Sequence, residues 1–261
     1  MAINYILPNM YDSYFCNLTI ANKLLQEKNI CGVSGTFPFS IFNGSYNNIG
    51  YEKVCLYDDM KDFYKNYGIM ANMVIIDCGN PLLESFDYFD LYNQVILQEF
   101  ANKPNFYFSV TQEAFIEYLI EKYPTIQLIL HQNYTRNHSS KDIQSLLEKH
   151  PNIKGIIISS FNICKDVTDV FKIYLTPLHG CEECAQYQKC LEYDHKSALE
   201  YSIDSQFSKC SLRKLIYPEI IQQRIEYVKD YCDYIMFDTV VGAQEIEEYA
   251  LIETVISQME E

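Results

Sequence analysis

The stretch QLILHQNYTRNHSSKDIQSLLEKHPNIKGIIIS, Gln127–Ser159, contains the pattern that decides the fold. It begins with an apolar run that ends at His131, continues with apolar residues at helical spacing over Ile143–Lys149, and ends with the run Gly155–Ser159. Near-continuous apolar runs are typical of parallel strands that are buried on both faces. Parallel strands need a crossover, which is usually a helix. The stretch therefore predicts a strand, a helix and a second parallel strand.

The same alternation continues along the whole chain. The runs that we interpret as strands are Asn4–Pro8, Cys31–Gly35, Asn72–Asp77, Phe106–Val110, Gln127–His131, Gly155–Ser159, Lys172–Thr176 and Tyr234–Asp238. The segments with helical spacing are Leu18–Gln26, Met60–Tyr67, Leu91–Phe100, Phe115–Tyr123, Ile143–Lys149, Ile220–Tyr231 and Ile246–Ile256. Eight strands that alternate with helical segments over roughly 250 residues match the strand count of a (β/α)8 barrel. We therefore predict an α/β protein with a single TIM-type barrel domain over residues 1–261.

An open, doubly wound sheet is the alternative architecture for this alternation. That fold more often carries a Gly-rich phosphate loop after its first strand. The end of the first predicted strand and the residues after it read LPNMYDSYF, Leu7–Phe15, and contain no Gly. The barrel is therefore the favoured prediction.

Composition and charge limit the classes of function. The 261 residues include 20 Lys+Arg and 35 Asp+Glu, which gives a formal net charge of −15. Because nucleic-acid binding needs a basic surface, we do not expect a nucleic-acid partner. No segment approaches the roughly 18 apolar residues of a membrane-spanning helix, and the N-terminus lacks the features of a signal peptide. We expect a cytoplasmic protein without a membrane span.

The C-terminal ends of barrel strands are where an active site is expected, because the loops that leave these ends build it. Polar residues at or near the predicted strand ends are Asn9, Asp77, Asn80, Thr111, His131, Gln132, Ser159, Thr176, His179 and Asp238. Among the five His of the chain, His131 is the one placed to act as a base or ligand in the barrel mouth. We predict Asp77 and His131 as catalytic residues, since carboxylates and imidazoles are common acid–base groups.

A long segment rich in Asn and aromatic residues follows the second predicted strand. It is FPFSIFNGSYNNIGY, Phe37–Tyr51, and long loops in compact domains are usually functional. We predict a substrate pocket lined by Asn43, Tyr46, Asn47 and Asn48. A serine hydrolase is disfavoured, because no GxSxG motif occurs in the chain.

The ten Cys residues fall into two groups. Six are scattered, mostly in or beside apolar runs where a thiol packs as a small hydrophobic group. These are Cys16, Cys31, Cys55, Cys78, Cys164 and Cys232. The other four, Cys181, Cys184, Cys190 and Cys210, have the spacing C-x2-C-x5-C-x19-C after the seventh predicted strand. A barrel of this size does not need a metal for stability, so we interpret the group as functional.

Three chemistries fit four thiols in this arrangement. The uneven spacing favours an iron–sulfur cluster, whose ligands are often spread unevenly in sequence. A structural zinc site usually has two short Cys pairs, and only Cys181 and Cys184 form one here. Disulfides are disfavoured in a chain that we expect to remain in the cytoplasm.

The chain resembles the collagenase-like peptidase family, also called the U32 peptidases. The resemblance is carried by Phe37–Tyr51, by DCGNPLLESFDYFDLYNQVILQEF (Asp77–Phe100), and by YLTPLHGCEECAQYQKC (Tyr174–Cys190) together with Cys210. Well-studied members bind a four-iron four-sulfur cluster through four Cys at the barrel mouth. They act in oxygen-independent hydroxylation of RNA bases or of the ubiquinone ring, some as heterodimers. The resemblance implies that Cys181, Cys184, Cys190 and Cys210 are cluster ligands.

The leading hypothesis is therefore an iron–sulfur barrel enzyme. It would carry out redox chemistry, or insert sulfur or oxygen, on a small-molecule or peptide-borne substrate under anaerobic conditions. One alternative is a non-catalytic, metal-stabilised subunit that works as a homodimer or heterodimer within a modification complex. The other alternative is a zinc-binding barrel.

Overall fold

Eight parallel strands form a closed barrel in the computed structural model, which describes residues 3–8, 29–35, 72–77, 91–159, 162–178, 215–238 and 245–259. The strands are β1 Asn4–Leu7, β2 Ile30–Gly35, β3 Met73–Asp77, β4 Phe106–Val110, β5 Gln127–Leu130, β6 Ile153–Ile158, β7 Phe171–Pro177 and β8 Tyr234–Asp238. Each strand pairs with the next in chain order, and β8 pairs with β1. The predicted (β/α)8 barrel is confirmed, and all eight predicted strands are present.

Six helices lie in the described part of the chain. They are α1 Leu91–Phe100, α2 Glu113–Lys122, α3 Gln132–Asn137, α4 Ser140–Lys149, α5 Pro218–Val228 and α6 Glu245–Met259. Five of them match predicted helical segments, with ends that differ by a few residues. The predicted helices Leu18–Gln26 and Met60–Tyr67 lie outside the described residues. No helix in the described ranges is both long and apolar enough to cross a membrane.

Local sequence explains where α4 begins and which face it buries. Ser139 Oγ accepts a hydrogen bond from the N–H of Asp142, whose carboxylate accepts one from the N–H of Ser139. This reciprocal capping box satisfies two N–H groups that the first turn leaves unpaired. Ile143, Leu146 and Leu147 are buried, as their spacing predicts. The helix therefore covers the outside of the barrel.

The barrel separates two apolar cores, because successive side chains of a strand point to opposite faces. The outer core lies between strands and helices and includes Phe108, Phe115 and Ile252. The inner core fills the barrel with side chains from six of the strands. Its buried members are Ile6, Met73, Ile75, Ile129, Ile157, Ile173, Leu175 and Met236. The interior is therefore a packed core, as in other small barrels.

Aromatic rings fill the N-terminal end of the barrel interior. The ring of Phe171 lies between those of Tyr107 and Tyr234, with edge-to-face contacts at centroid distances of 5.7 and 5.5 Å. These residues stand at or near the starts of β4, β7 and β8. The Phe171 ring also lies directly against Gly155 of β6, where a side chain would collide with it. Gly155 is therefore required by this packing.

Three of the six scattered Cys lie in the described ranges. Cys31 packs against the inner core, and Cys164 and Cys232 pack in or against the outer core. Burial raises the pKa of Cys31 and Cys164 to about 11 and that of Cys232 to about 12. These thiols are protonated at neutral pH and act as packing groups, as their sequence surroundings indicate. Cys16, Cys55 and Cys78 lie outside the described residues.

We predict that Gly155→Ala destabilises the protein, because the added Cβ would lie well inside the contact distance of Phe171 Cε2, Cδ2 and Cζ. The two neighbouring Tyr rings leave Phe171 little room to move. Overpacking of this kind costs roughly 1–3 kcal/mol of unfolding free energy. Denaturant unfolding of the variant measures the loss.

Lys154→Ala is the matched control, since Lys154 is the exposed neighbour of Gly155 on the same strand. It should change the unfolding free energy by less than about 0.5 kcal/mol. In a Phe171→Leu background, Gly155→Ala should cost less than it does alone. An equal cost in both backgrounds would contradict the proposed collision.

Candidate functional site

The barrel interior changes from apolar to polar at the C-terminal ends of four neighbouring strands. Each polar residue stands two positions after an inner-core side chain of its strand, so all four point toward the barrel axis. They are Asp77 on β3, Ser109 on β4, His131 after β5 and Ser159 after β6. This polar layer lies where barrel enzymes bind their substrates.

Asp77 is held in position by Ser109. The two residues are direct partners in the β3–β4 register, and Ser109 Oγ donates a hydrogen bond of 2.8 Å to Asp77 Oδ1. The Ser109 side chain is fully buried, whereas that of Asp77 is 25% exposed. Because the hydrogen bond fixes the plane of the carboxylate, Asp77 presents its other oxygen, Oδ2, in a defined direction.

His131 is held by its backbone and by its ring. Its N–H donates to Val110 O at 2.9 Å, which continues the β4–β5 pairing beyond the end of β5. Its Nδ1 accepts the N–H of Asn133 at 3.2 Å, so the imidazole caps the N-terminus of α3. With Nδ1 as acceptor, the proton of the neutral ring is assigned to Nε2.

The imidazole of His131 faces the carboxylate of Asp77. Nε2 lies 3.9 Å from Asp77 Oδ2, which is too long for a direct hydrogen bond. Burial lowers the pKa of His131, the Asp77 charge partly opposes this, and Arg136 adds to the lowering. The ring is therefore neutral at pH 7, and the pair presents one N–H donor and one carboxylate acceptor across a narrow gap.

Helix α3 anchors His131 to the neighbouring strand and helix. Thr135 Oγ1 donates to Ile157 O of β6 at 2.7 Å, and Asn162 Nδ2 donates to Thr135 O at 2.6 Å. Tyr134 donates to Glu113 Oε1 of α2 at 2.8 Å. Since the helix is fixed at three points, the imidazole that caps it has a fixed orientation, which catalytic and binding groups require.

Two further hydroxyl groups on inward-facing positions near this end of the barrel lack hydrogen-bond partners in the described structure. They are Thr111 Oγ1, one residue beyond β4, and Ser159 Oγ, one residue beyond β6. A buried hydroxyl without a partner costs about 1–3 kcal/mol. Such groups are candidates for contacts with a ligand.

The sequence-based expectation for Thr176 is wrong. We expected it at the mouth with the other strand-end polar residues. However, Leu175 belongs to the inner core and Tyr174 to the outer core, so strand alternation turns Thr176 to the outer side of β7. Thr176 is fully buried there and is not part of the polar layer.

The structure brings the two predicted catalytic residues together, since Asp77 and His131 face each other. The predicted pocket residues Asn43, Tyr46, Asn47 and Asn48 and the predicted ligands Cys181, Cys184, Cys190 and Cys210 lie outside the described residues. Within the described ranges, no group of three or more His, Cys, Asp or Glu side chains could hold a metal ion.

Sequence reasoning missed Ser109 and α3. The sequence contained a signal for Ser109. Strand alternation places Ser109 on the same inward face of FYFSV as Tyr107, and Ser109 is the small polar residue on that face. Helix α3 had a weaker one, because its six residues QNYTRN carry no apolar stripe. Its start depends on the imidazole of His131, which is not among the usual N-cap side chains.

We predict that His131→Asn weakens the dependence of stability on pH. The pKa of His131 in the folded protein lies below its ordinary value of 6.5, so below about pH 6.5 the unfolded chain binds a proton that the folded chain does not. This contribution to the unfolding free energy is present above that pH and is lost as pH falls. Asn retains an oxygen that can cap α3 but does not titrate.

Denaturant unfolding of both proteins from about pH 8 to about pH 5 provides the measurement, over the range in which an ordinary His titrates. The wild type should lose more stability than the variant as the pH falls. Parallel pH profiles for the two proteins would show that His131 is not buried in its neutral form.

Solved structures resemble the chain in fold. The U32 peptidase Mk0906 superposes with a TM-score of 0.54 and 8% sequence identity, covering 93% of this chain and 94% of that one. The E. coli 3-keto-D-glucoside 4-epimerase YcjR has a TM-score of 0.38 and 9% identity, over 92% and 85% of the two chains. HPPK-DHPS of Plasmodium falciparum has a TM-score of 0.37 and 11% identity, over 98% and 47%.

The likeness to the U32 peptidase is one of fold alone, because the identity is so low. No sequence-family profile and no curated protein matches the chain. The two lower scores do not bear on function. The barrel is therefore similar in fold to that of a U32 peptidase, as the sequence resemblance implies.

Proposed function

We propose that the protein is an enzyme whose active site is the polar layer at the C-terminal mouth of the barrel. The observation that carries this proposal is the pairing of Asp77 with His131 across a gap of 3.9 Å. A carboxylate and a neutral imidazole in fixed orientations can bind a reactant and move a proton to or from it. The pair stands beyond the inner core that fills the barrel, at the end where barrel enzymes bind their substrates.

We further propose that Cys181, Cys184, Cys190 and Cys210 hold a four-iron four-sulfur cluster. The described residues on either side of this segment support the proposal. The segment with the four Cys lies between Leu178 and Leu215, and Ile216 N–H donates to Leu178 O at 3.0 Å, so the two ends of the segment are close together. Because all strands are parallel, the start of this segment just after β7 lies at the same end of the barrel as Asp77 and His131.

The chemistry of the thiols also supports an iron–sulfur site. The described Cys residues are buried thiols with raised pKa values, so none of them offers a ready thiolate ligand. Among the remaining Cys, four stand together after β7, and their uneven spacing suits a cubic cluster. A bound cluster would supply or accept electrons, while Asp77 and His131 would position the substrate and its proton.

The test is metal analysis of protein purified without oxygen. We expect a brown protein with visible absorption and roughly four iron and four sulfide per chain. Single Cys→Ala changes at Cys181, Cys184, Cys190 or Cys210 should lower the iron content and the absorption. Cys164→Ala is the matched control, because Cys164 is a packing residue, and it should keep the full iron content.

Two results would contradict the cluster proposal. One is a colourless protein after anaerobic reconstitution with iron and sulfide. The other is stoichiometric zinc with no visible absorption, which would favour the zinc-binding barrel. Neither result bears on whether Asp77 and His131 bind a substrate.

A further inference from the structure

Helix α3 is too short to hold its position by itself. It has six residues, and isolated helices shorter than about 12–15 residues are marginal in water. The last four C=O groups of a helix also have no partner within it, so their partners must come from elsewhere. Because His131 caps the N-terminus of α3, the contacts that hold this helix also bear on the candidate site.

Asn162, in the connection between β6 and β7, satisfies one of these C=O groups. Its Nδ2 donates to Thr135 O at 2.6 Å. Its Oδ1 accepts the N–H of Cys164 at 3.1 Å, and its own N–H donates to Ser159 O at 3.1 Å. These two side-chain bonds assign the orientation of the amide, because only Nδ2 can donate and only Oδ1 can accept. One residue therefore joins α3 to the end of β6.

The turn that contains Asn162 is fixed although its backbone is strained. Between β6 and β7 the described residues, 159 and 162–170, form no helix. Cys164 has a φ of 49°, a left-handed conformation that residues other than Gly rarely adopt. Its N–H is bonded to Asn162, and its C=O accepts from Lys172 Nζ at 2.8 Å. Strained residues persist where the surrounding structure fixes them, and they cluster at functional sites.

Thr135 connects Asn162 to His131. While its C=O accepts from Asn162, its N–H donates to His131 O at 3.2 Å, one helical turn earlier. Thr135 is 1% exposed, so both bonds are shielded from water. The backbone of His131 is therefore linked to the β6–β7 turn through two hydrogen bonds and one buried residue.

We propose that Asn162 is a positioning residue of the candidate active site, which acts through Thr135 and α3 to hold the imidazole of His131 in place. The inference rests on the proposed function, since it names a residue that orients the same site. It does not depend on the cluster, because the groups that carry it lie on α3, at the end of β6 and in the β6–β7 connection.

NMR titration of the His131 imidazole in the anaerobically purified full chain tests this inference. The chain has five His, and the resonance of His131 is the one that His131→Asn removes. In the wild type, burial lowers the pKa of His131, the nearby Asp77 charge partly opposes this, and Arg136 adds to the lowering. If α3 loosens, water reaches the ring, and the pKa of His131 should rise toward 6.5.

Two variants of Asn162 separate its two side-chain bonds. Asn162→Ala removes both. Asn162→Ser keeps an oxygen that can accept the N–H of Cys164, but its side chain is one atom shorter and should not reach Thr135 O. Both new side chains are uncharged, so neither changes the charges around His131. We expect the pKa of His131 to rise in both variants.

Asn152→Ala is the matched control. Asn152 Nδ2 also donates to backbone C=O groups, those of Pro124 and Ile126 at 2.9 and 3.0 Å, but it lies just before β6, at the opposite end of the barrel. This variant should leave the pKa of His131 unchanged. Circular dichroism shows whether each variant is folded. If both Asn162 variants are unfolded, exchange of the Asn162 side-chain amide protons in the wild type provides the test, and we expect it to be slow.

Three outcomes overturn the inference: an unchanged pKa of His131 in folded Asn162→Ser, a rise in Asn152→Ala as large as that in Asn162→Ser, or fast exchange of the Asn162 amide protons in the wild type. Iron and sulfide analysis of the same samples separates this inference from the cluster proposal. Brown protein with an unchanged pKa in Asn162→Ser would overturn this inference and leave the cluster. Colourless protein with a raised pKa in Asn162→Ser would overturn the cluster and leave this inference.

Discussion

The closed ladder of parallel strands is the constraint on which the rest of the structure depends. β8 pairs with β1 through Asn4–Tyr234, Tyr5–Ile235 and Ile6–Met236, so no strand edge remains open. Closure gives every strand an inner and an outer face. Alternate side chains then fill either the barrel or the layer beneath the helices. The apolar filling ends near the C-terminal ends of the strands, and there the inward positions of β3 to β6 become polar.

The polar layer is maintained by ordinary secondary-structure interactions. His131 belongs at once to the strand ladder, through its N–H, and to α3, through the cap at Nδ1. Its orientation and its tautomer therefore follow from how a strand passes into a short helix. Burial keeps the ring neutral even though a carboxylate lies nearby. The neutral imidazole therefore carries its donor proton on Nε2, whereas Oδ2 of the Asp77 carboxylate is an acceptor.

Much of the site could be predicted from the sequence because strand ends are recognisable there. Asp77 and His131 end apolar runs. Because the C-terminal ends of all strands in a parallel barrel lie at the same mouth, both residues are expected there. Ser109 was missed because it lies inside a strand, where a single polar residue is easily taken for one that faces outward. Thr176 was misplaced for a related reason. Whether a residue of β7 faces inward or outward depends on the register of that strand in the barrel. Pairing with β6 and β8 determines this register.

The sequence by itself determined the order of the elements, the barrel class and the division of the Cys into packing residues and a candidate ligand group. Hydrophobic periodicity and local spacing contain that information, because they depend on neighbours along the chain. Only the tertiary structure decided that Asp77 and His131 face each other at 3.9 Å, that Ser109 orients the carboxylate, and that His131 is neutral. Distances between strands and the burial of a ring arise from closure of the barrel, which brings together residues that lie more than fifty positions apart.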